Sequence, residues 1–467
     1  MSIPNSTQSS DQNPDQNSDQ NPDQNSDQNP ELSNKGLFNR LTQIEPCEMK
    51  GALLSFLFIF LLMTSYMILK PVRDALPSDW GDVSRATQWT YTFIFATIAV
   101  FIYNYCASKV AIRKLVPAVF VAFALSFMLI FSAYKLGVNV SFLGKVFYVW
   151  TSVFSLFHIS VFWSFVSQHY SKLQSKRVFS FINTGASAGA ICGPLSVILL
   201  AETMSIENVL VVTSVVLLLS LPIITILNRH FDSLHQTSNP NVAVSEQLQA
   251  NPFTGIRELI THKKLLGIAG FIFFLTGVSA FFYTTQSDVL ADFSRTERKQ
   301  MLGSLELVTN TLTILLGLFV SNRIFQKFGI SASLSFVPFA VAGLMLLLSA
   351  NPAILFVLIL VVVRRAGNYA IVRPAREVLF TGVDKEARFK SKPIIDIAVY
   401  RGGDVFWIWL IAFIGDGYLG FSVPEKIITG AFVAAMWGLL GFYIGKRHEK
   451  SEQERPEITP AQQPEVS

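Results

Sequence analysis

About 12 apolar runs of roughly 20 residues follow one another along this chain. They lie near 50–76, 87–107, 115–134, 144–171, 178–201, 207–228, 264–289, 301–322, 331–350, 352–380, 393–415 and 425–446. A run of that length crosses the hydrocarbon core of a bilayer as a helix. Lipid offers the backbone no hydrogen bonds, and a helix satisfies its N–H and C=O groups internally. The sequence therefore predicts an all-α membrane protein of 12 transmembrane helices. Composition agrees: of 467 residues, 51% are hydrophobic and only 15% charged, where a soluble domain carries about a quarter.

Loop lysines and arginines predict the orientation. With the N-terminus inside, inner segments hold about 23 basic residues and outer ones about 9. The inner set includes Lys109, Arg113, Lys114, Lys172, Lys176, Arg177, Lys385, Arg388, Lys390 and Lys392, while 201–208 and 350–352 have none. Both termini are expected in the cytoplasm. The net charge of +5 follows from this asymmetry, so no nucleic-acid partner is implied.

The expected divisions are a tail at 1–48, a six-helix half at 49–228, a cytoplasmic linker at 229–263, a second six-helix half at 264–446 and a tail at 447–467. Six plus six with a linker is similar to the layout of major-facilitator transporters, in which spans 1, 4, 7 and 10 are equivalent. The sequence carries a trace of that repeat. "LKPVRDAL" (69–76) and "VRPAREVL" (372–379) align without a gap: hydrophobe, base, proline, small apolar, arginine, acid, apolar, leucine. "TTQSDVL" (284–290) keeps the acid and leucine, and "QHYSKL" (168–173) is weaker.

The N-terminal tail repeats "DQNP" and "DQNS" between 11 and 30. That repeat has no apolar side chain except proline, so it cannot bury a core and is expected to be disordered. The first 34 residues are acidic and lack arginine, which excludes a transit or signal peptide.

The stretch "LVVVRRAGNYAIVRPAREVLF" (360–380) places four arginines on an apolar run. An arginine at mid-bilayer costs about 2.5–3.5 kcal/mol on insertion scales. Arg365, Tyr369, Arg373 and Arg376 follow spacings that share one helical face, with Asn368 beside them. Such a face must line water or a bound anion, because lipid leaves those donors unsatisfied. The alternative is pairing with carboxylates, for which Asp74, Asp288, Glu306, Glu377, Asp396 and Asp404 are available, or snorkelling of Arg373 and Arg376 to the interface. Arg364 and Arg365 are too deep to snorkel easily. Lys70 and Arg73, beside Asp74 and a helix-kinking Pro71, form a second basic cluster toward the opposite mouth. Guanidinium forks suit carboxylates and phosphates. The expected substrate is an organic anion, held by Lys70, Arg73, Arg364, Arg365, Asn368, Tyr369, Arg373 and Arg376. Asp74, Asp288, Glu377, Asp396, Arg401 and Asp404 are expected as coupling or ion-pair residues. His158, deep in the fourth run, is a lesser candidate for a proton relay.

Gly185, Gly189 and Gly193, at spacing four, predict a close helix contact. They resemble the glycine-proline motif in span 5 of facilitator antiporters. Cys47, Cys106 and Cys192 offer neither a disulfide framework nor a metal site. No phosphate loop or HExxH is present, and the GxSxG pattern at 185–189 falls in the glycine stripe of an apolar run and does not support catalysis. No enzyme activity, cofactor or metal is expected.

"YMILKPVRDAL" (66–76) resembles the first-helix signature of the ATP/ADP translocase family of plastids and intracellular bacteria, roughly "YTILRDTKDVL". "RPAREVLFTGVDKEARFKSKPIIDIAV" (373–399) is similar to that family's span 10–11 segment, with Pro374, Glu377, Asp384, Lys390, Lys392, Ile395 and Asp396 on family positions. The resemblance implies nucleotide exchange, typically ATP against ADP, through a facilitator-like fold, and the expected protein is a monomer in a bacterial inner membrane. The family's two substrate-linked lysines fall on Arg73 and Arg376, which keep the charge and change the hydrogen-bond geometry. Two other functions compete with exchange: a proton-coupled anion symporter using Asp74, Asp288 or Glu377, and a non-transporting sensor or assembly protein on a transporter fold.

Overall fold

A computed structural model describes residues 45–170, 172–203, 205–235, 259–319, 321–351, 353–380, 383 and 395–454. The DQNP repeat, the middle of the expected linker, residues 455–467 of the final tail, most of the 381–394 segment and the side chain of Asp396 lie outside the described residues. The chain is helical, with no strand among the described residues.

The helices are α1 (Pro46–Asp74), α2 (Asp82–Lys109), α3 (Ile112–Lys135), α4 (Val140–Val166), α5 (Lys172–Leu199), α6 (Ile206–His235), α7 (Lys263–Leu290), α8 (Arg295–Phe319), α9 (Ser321–Ala350), α10 (Ile354–Gly367), α11 (Arg373–Leu379), α12 (Tyr400–Ala412) and α13 (Val423–Gln453). A π-helical turn, Asn368–Val372, joins α10 to α11. Two more, Ile395–Val399 and Phe413–Gly417, flank α12. Among the described residues 10 helices are long and apolar enough to cross a membrane. The expected run 393–415 is not one of them, because the π turns divide it. The run 301–322 ends among residues that are not all described. Helix α6 continues to His235 and α13 to Gln453, past the expected ends at 228 and 446.

Two apolar clusters organise the packing. One draws on α1 to α6 and is rich in fully buried phenylalanine, including Phe58, Phe120, Phe154 and Phe162. Phe58 meets Phe162 edge-on at 5.1 Å and Phe120 at 5.6 Å. The other draws on α7 to α13 around Phe271, Phe281 and Trp437, with Ala75 joining from beyond α1. Lipid is as apolar as these side chains, so close packing rather than escape from water holds the helices together. The glycine stripe shows how close. A Cβ on Gly185 or Gly189 would stand 2.6 Å from the Phe56 or Phe60 carbonyl oxygen, and one on Gly193 2.5 Å from Met67 Cβ. Helix α5 therefore lies directly on α1.

Contacts at several depths tie the two sets of helices together. Asn310 of α8 donates to the Ala190 carbonyl of α5 at 3.0 Å. Trp409 of α12 donates to Thr90 of α2 at 2.9 Å. The hydroxyls of Tyr148 and Tyr283 meet at 3.0 Å between α4 and α7.

Candidate functional site

A cavity of about 1090 Å³ lies between the two sets of helices. Tyr66 and Arg73 of α1 line it, with Tyr148 and Ser152 of α4, Tyr283 of α7 and, across from them, Asn368, Tyr369, Arg373, Arg376 and Glu377. Tyr400, Arg401 and Asp404 of α12 close one side, and α2 supplies a largely apolar stripe from Trp89 to Asn104.

Arg73 holds Asp74 with Nε at 2.8 Å and Nη2 at 2.6 Å, and reaches Ser152 Oγ at 3.4 Å. Its guanidinium lies 5.7 Å from the centre of the Tyr148 ring. Arg376 is buried and pairs with Glu377 at 3.0 Å. Arg401 and Asp404 face each other at 3.5 Å. Arg373 is exposed and, among the described residues, has no carboxylate within ion-pair distance. Arg73, Asn368, Tyr369, Arg373, Arg376, Glu377, Arg401 and Asp404 thus meet on one cavity. The two basic clusters expected at opposite mouths share it.

Lys70, Arg364 and Arg365 do not line the cavity. Arg365 pairs with Glu306 of α8 through both terminal nitrogens, the second at 2.8 Å, and Lys70 pairs with the same carboxylate. Arg364 donates to Ser279 Oγ at 3.1 Å and lies 4.7 Å from the Phe282 ring centre. Spacing alone puts Arg365 on the face of Arg373 and Arg376. The π turn separates them. Here the Arg373 N–H donates to the Asn368 carbonyl, one residue further back than in an α-helix. The extra residue rotates the following side chains by about 100°.

Asp288 lies away from the cavity, in a charged network. Arg85 bonds Asp82 at 2.9 Å and Asp288 at 2.5 Å, and Lys426 bonds Asp82 at 2.8 Å and Asp288 at 2.9 Å. Asp416 accepts the Asp82 N–H at 2.9 Å. Nearby, Asp79 takes Arg298 at 2.5 Å and Arg295 at 2.9 Å. The cavity lining of α2 begins only at Trp89, two turns in from Asp82. This network therefore caps the cavity at the end away from the start of α1. Sequence reasoning did not single out Arg85 or Lys426. The one local signal is the i, i+3 spacing of Asp82 and Arg85 at the head of an apolar run. His158 is buried against Tyr66, with ring centres 4.5 Å apart, and Nε2 has no hydrogen-bond partner among the described residues. It is not part of the cavity lining.

The family model of the Major Facilitator Superfamily matches residues 53–381. The chain belongs to the Major Facilitator Superfamily. This facilitator is accordingly a multi-pass membrane transporter and not an enzyme. No curated protein sequence matches it. Solved structures share the fold. A bacterial homologue of the human lysosomal transporter Spinster, inward-facing and unoccupied, is 14% identical, with a TM-score of 0.58 over 87% of this chain and 98% of that one. The nucleoside transporter NupG is 13% identical, with a TM-score of 0.60 over 88% of this chain and 100% of its own. The human organic anion transporter MFSD10 is 14% identical, with a TM-score of 0.54 over 85% of this chain and 100% of its own.

Proposed function

We propose that this facilitator carries an organic anion, a nucleotide or another phosphorylated metabolite, by exchange across a bacterial inner membrane. The observation that carries the reading is the cavity wall. Arg73, Arg373 and Arg376 converge there among Tyr66, Tyr148, Tyr283, Tyr369 and Tyr400. Guanidinium groups bind phosphate bidentately, and tyrosine rings offer flat faces to a base or other apolar body. The resemblance to ATP/ADP translocases supports a nucleotide. The neighbours described as a nucleoside transporter and an organic anion transporter agree with that substrate class. In this reading the protein works as a monomer with 12 spans in two six-helix halves and both termini in the cytoplasm. The halves rock about the cavity. Exchange follows from charge: without a bound anion, Arg373 has no carboxylate partner among the described residues and is costly to carry through the closed state.

Counterflow in proteoliposomes tests this. Vesicles are loaded with ATP, ADP, inorganic phosphate or a sugar phosphate, and uptake of the labelled partner is followed. Uptake that requires an anion inside is the expected result. No accumulation of any of these anions would overturn it. A proton-coupled mode has one observation in its favour, that Asp404 and Glu377 both line the cavity. Uptake driven by a pH gradient into vesicles lacking internal anion would select that mode.

A further inference from the structure

Lys70, Glu306 and Arg365 meet just beyond the cavity wall. Glu306 is 4% exposed, and both of its oxygens are engaged by these cations. On α1, Tyr66 and Arg73 flank Lys70 at spacings of four and three residues, and both line the cavity. Tyr369, four residues after Arg365, lines it too. Residues so spaced are neighbours on a helix, so both cations stand about one helical turn from the space where a substrate would sit. The helices involved belong to different sets: α1 packs into the first apolar cluster, while Leu302 and Leu305 of α8 pack into the second.

A carboxylate between two cations is chemically the ligand those cations would offer to an incoming phosphate or carboxylate. Replacing one anion by another leaves no buried charge unpaired, whereas withdrawing Glu306 without replacement would. We propose that Lys70 and Arg365 form a second anion subsite, held in the empty carrier by the Glu306 carboxylate and taken over by an anionic group of the substrate. This rests on the organic-anion reading above. It adds that the Lys70–Glu306 bridge between the two sets of helices opens when substrate binds, which couples occupancy to their relative movement. Lys70 is about 4.5 Å along the helix axis from Arg73, so an anion with two adjacent charged groups reaches both places.

The test is inorganic pyrophosphate binding to the purified full-length protein. Glu306→Gln removes the internal competitor and should bind pyrophosphate about tenfold or more tightly than wild type. Adding Lys70→Met or Arg365→Met in that background should abolish the gain. Glu306→Asp, one methylene shorter, should show a smaller gain and stands in if the glutamine variant does not fold. A folded variant that binds no tighter than wild type, while Arg373→Ala weakens wild-type binding, would overturn the second subsite and leave the organic-anion reading intact. If pyrophosphate, phosphate and ATP bind neither wild type nor any variant, the organic-anion reading fails and the subsite with it.

Discussion

Arg373 and Arg365 belong to one sequence motif and have different fates. Arg373 is exposed on the cavity with no carboxylate in reach among the described residues, so its donors are available to an anion. A charge-assisted hydrogen bond contributes roughly 1.5–3 kcal/mol. Arg373→Ala should therefore raise the half-saturating substrate concentration about tenfold or more, with membrane insertion unchanged. Uptake and immunoblotting on the same vesicles check this. Arg365 is committed to Glu306. Arg365→Ala leaves that carboxylate with Lys70 alone and removes a two-pronged charged hydrogen bond, which should destabilise the protein by about 1.5–3 kcal/mol, lowering expression and the unfolding temperature as well as uptake. Replacing Lys70, Glu306 and Arg365 together by Met, Leu and Met should restore stability without restoring transport. A buried ionic cluster exchanged for packed apolar groups is often neutral or stabilising. Glu306 was legible in the sequence as one of six available carboxylates. Which one holds Arg365 depends on the packing of α8 against α1 and α10, and no spacing within a single helix encodes that.

At the scale of elements, the helices were legible because lipid permits little else. The glycine contact was legible too, since spacing four marks one helical face and small residues mark a close approach. Gly189→Ala should destabilise by about 1–3 kcal/mol, because its new methyl would meet the Phe60 carbonyl at 2.6 Å. A thermal shift of purified protein in detergent measures this. The π turns were not legible. An i to i−5 bond arises where tertiary packing selects it, and "GNYAIV" reads equally well as α-helix. The turn at Asn368–Val372 aims Arg373 and Arg376 into the cavity and leaves Arg365 to Glu306. Deleting Ala370 removes the extra residue, so the bond from the Arg373 N–H to the Asn368 carbonyl becomes an ordinary i to i−4 bond and both arginines keep their aim. Transport should therefore persist in the deletion variant. Loss of uptake at normal insertion and expression would show that the turn does more than set the direction of the two arginines.

At the scale of the whole molecule, charge closes one end and lines the centre. The Asp82, Arg85, Asp288 and Lys426 network joins α2 to α7 and α13. Lys426→Ala leaves two carboxylates facing Arg85 alone and should favour opening of that end. A cysteine placed at Trp89 should then react faster with a membrane-impermeant thiol reagent applied to that side. Asp288 shows the limit of reading from sequence at this scale. It was legible as a coupling or ion-pair residue, but its partners come from the heads of two helices remote in the chain. The account's central claim is that cavity arginines select an anion for exchange. Its most direct test is efflux of preloaded labelled ATP from proteoliposomes on adding external ADP, compared between wild type and Arg73→Gln/Arg373→Gln. The account predicts rapid efflux from wild type, none on adding uncharged adenosine, and near-complete loss in the double variant at equal protein incorporation. Efflux from the double variant at the wild-type rate, or equal efflux with adenosine, would contradict it.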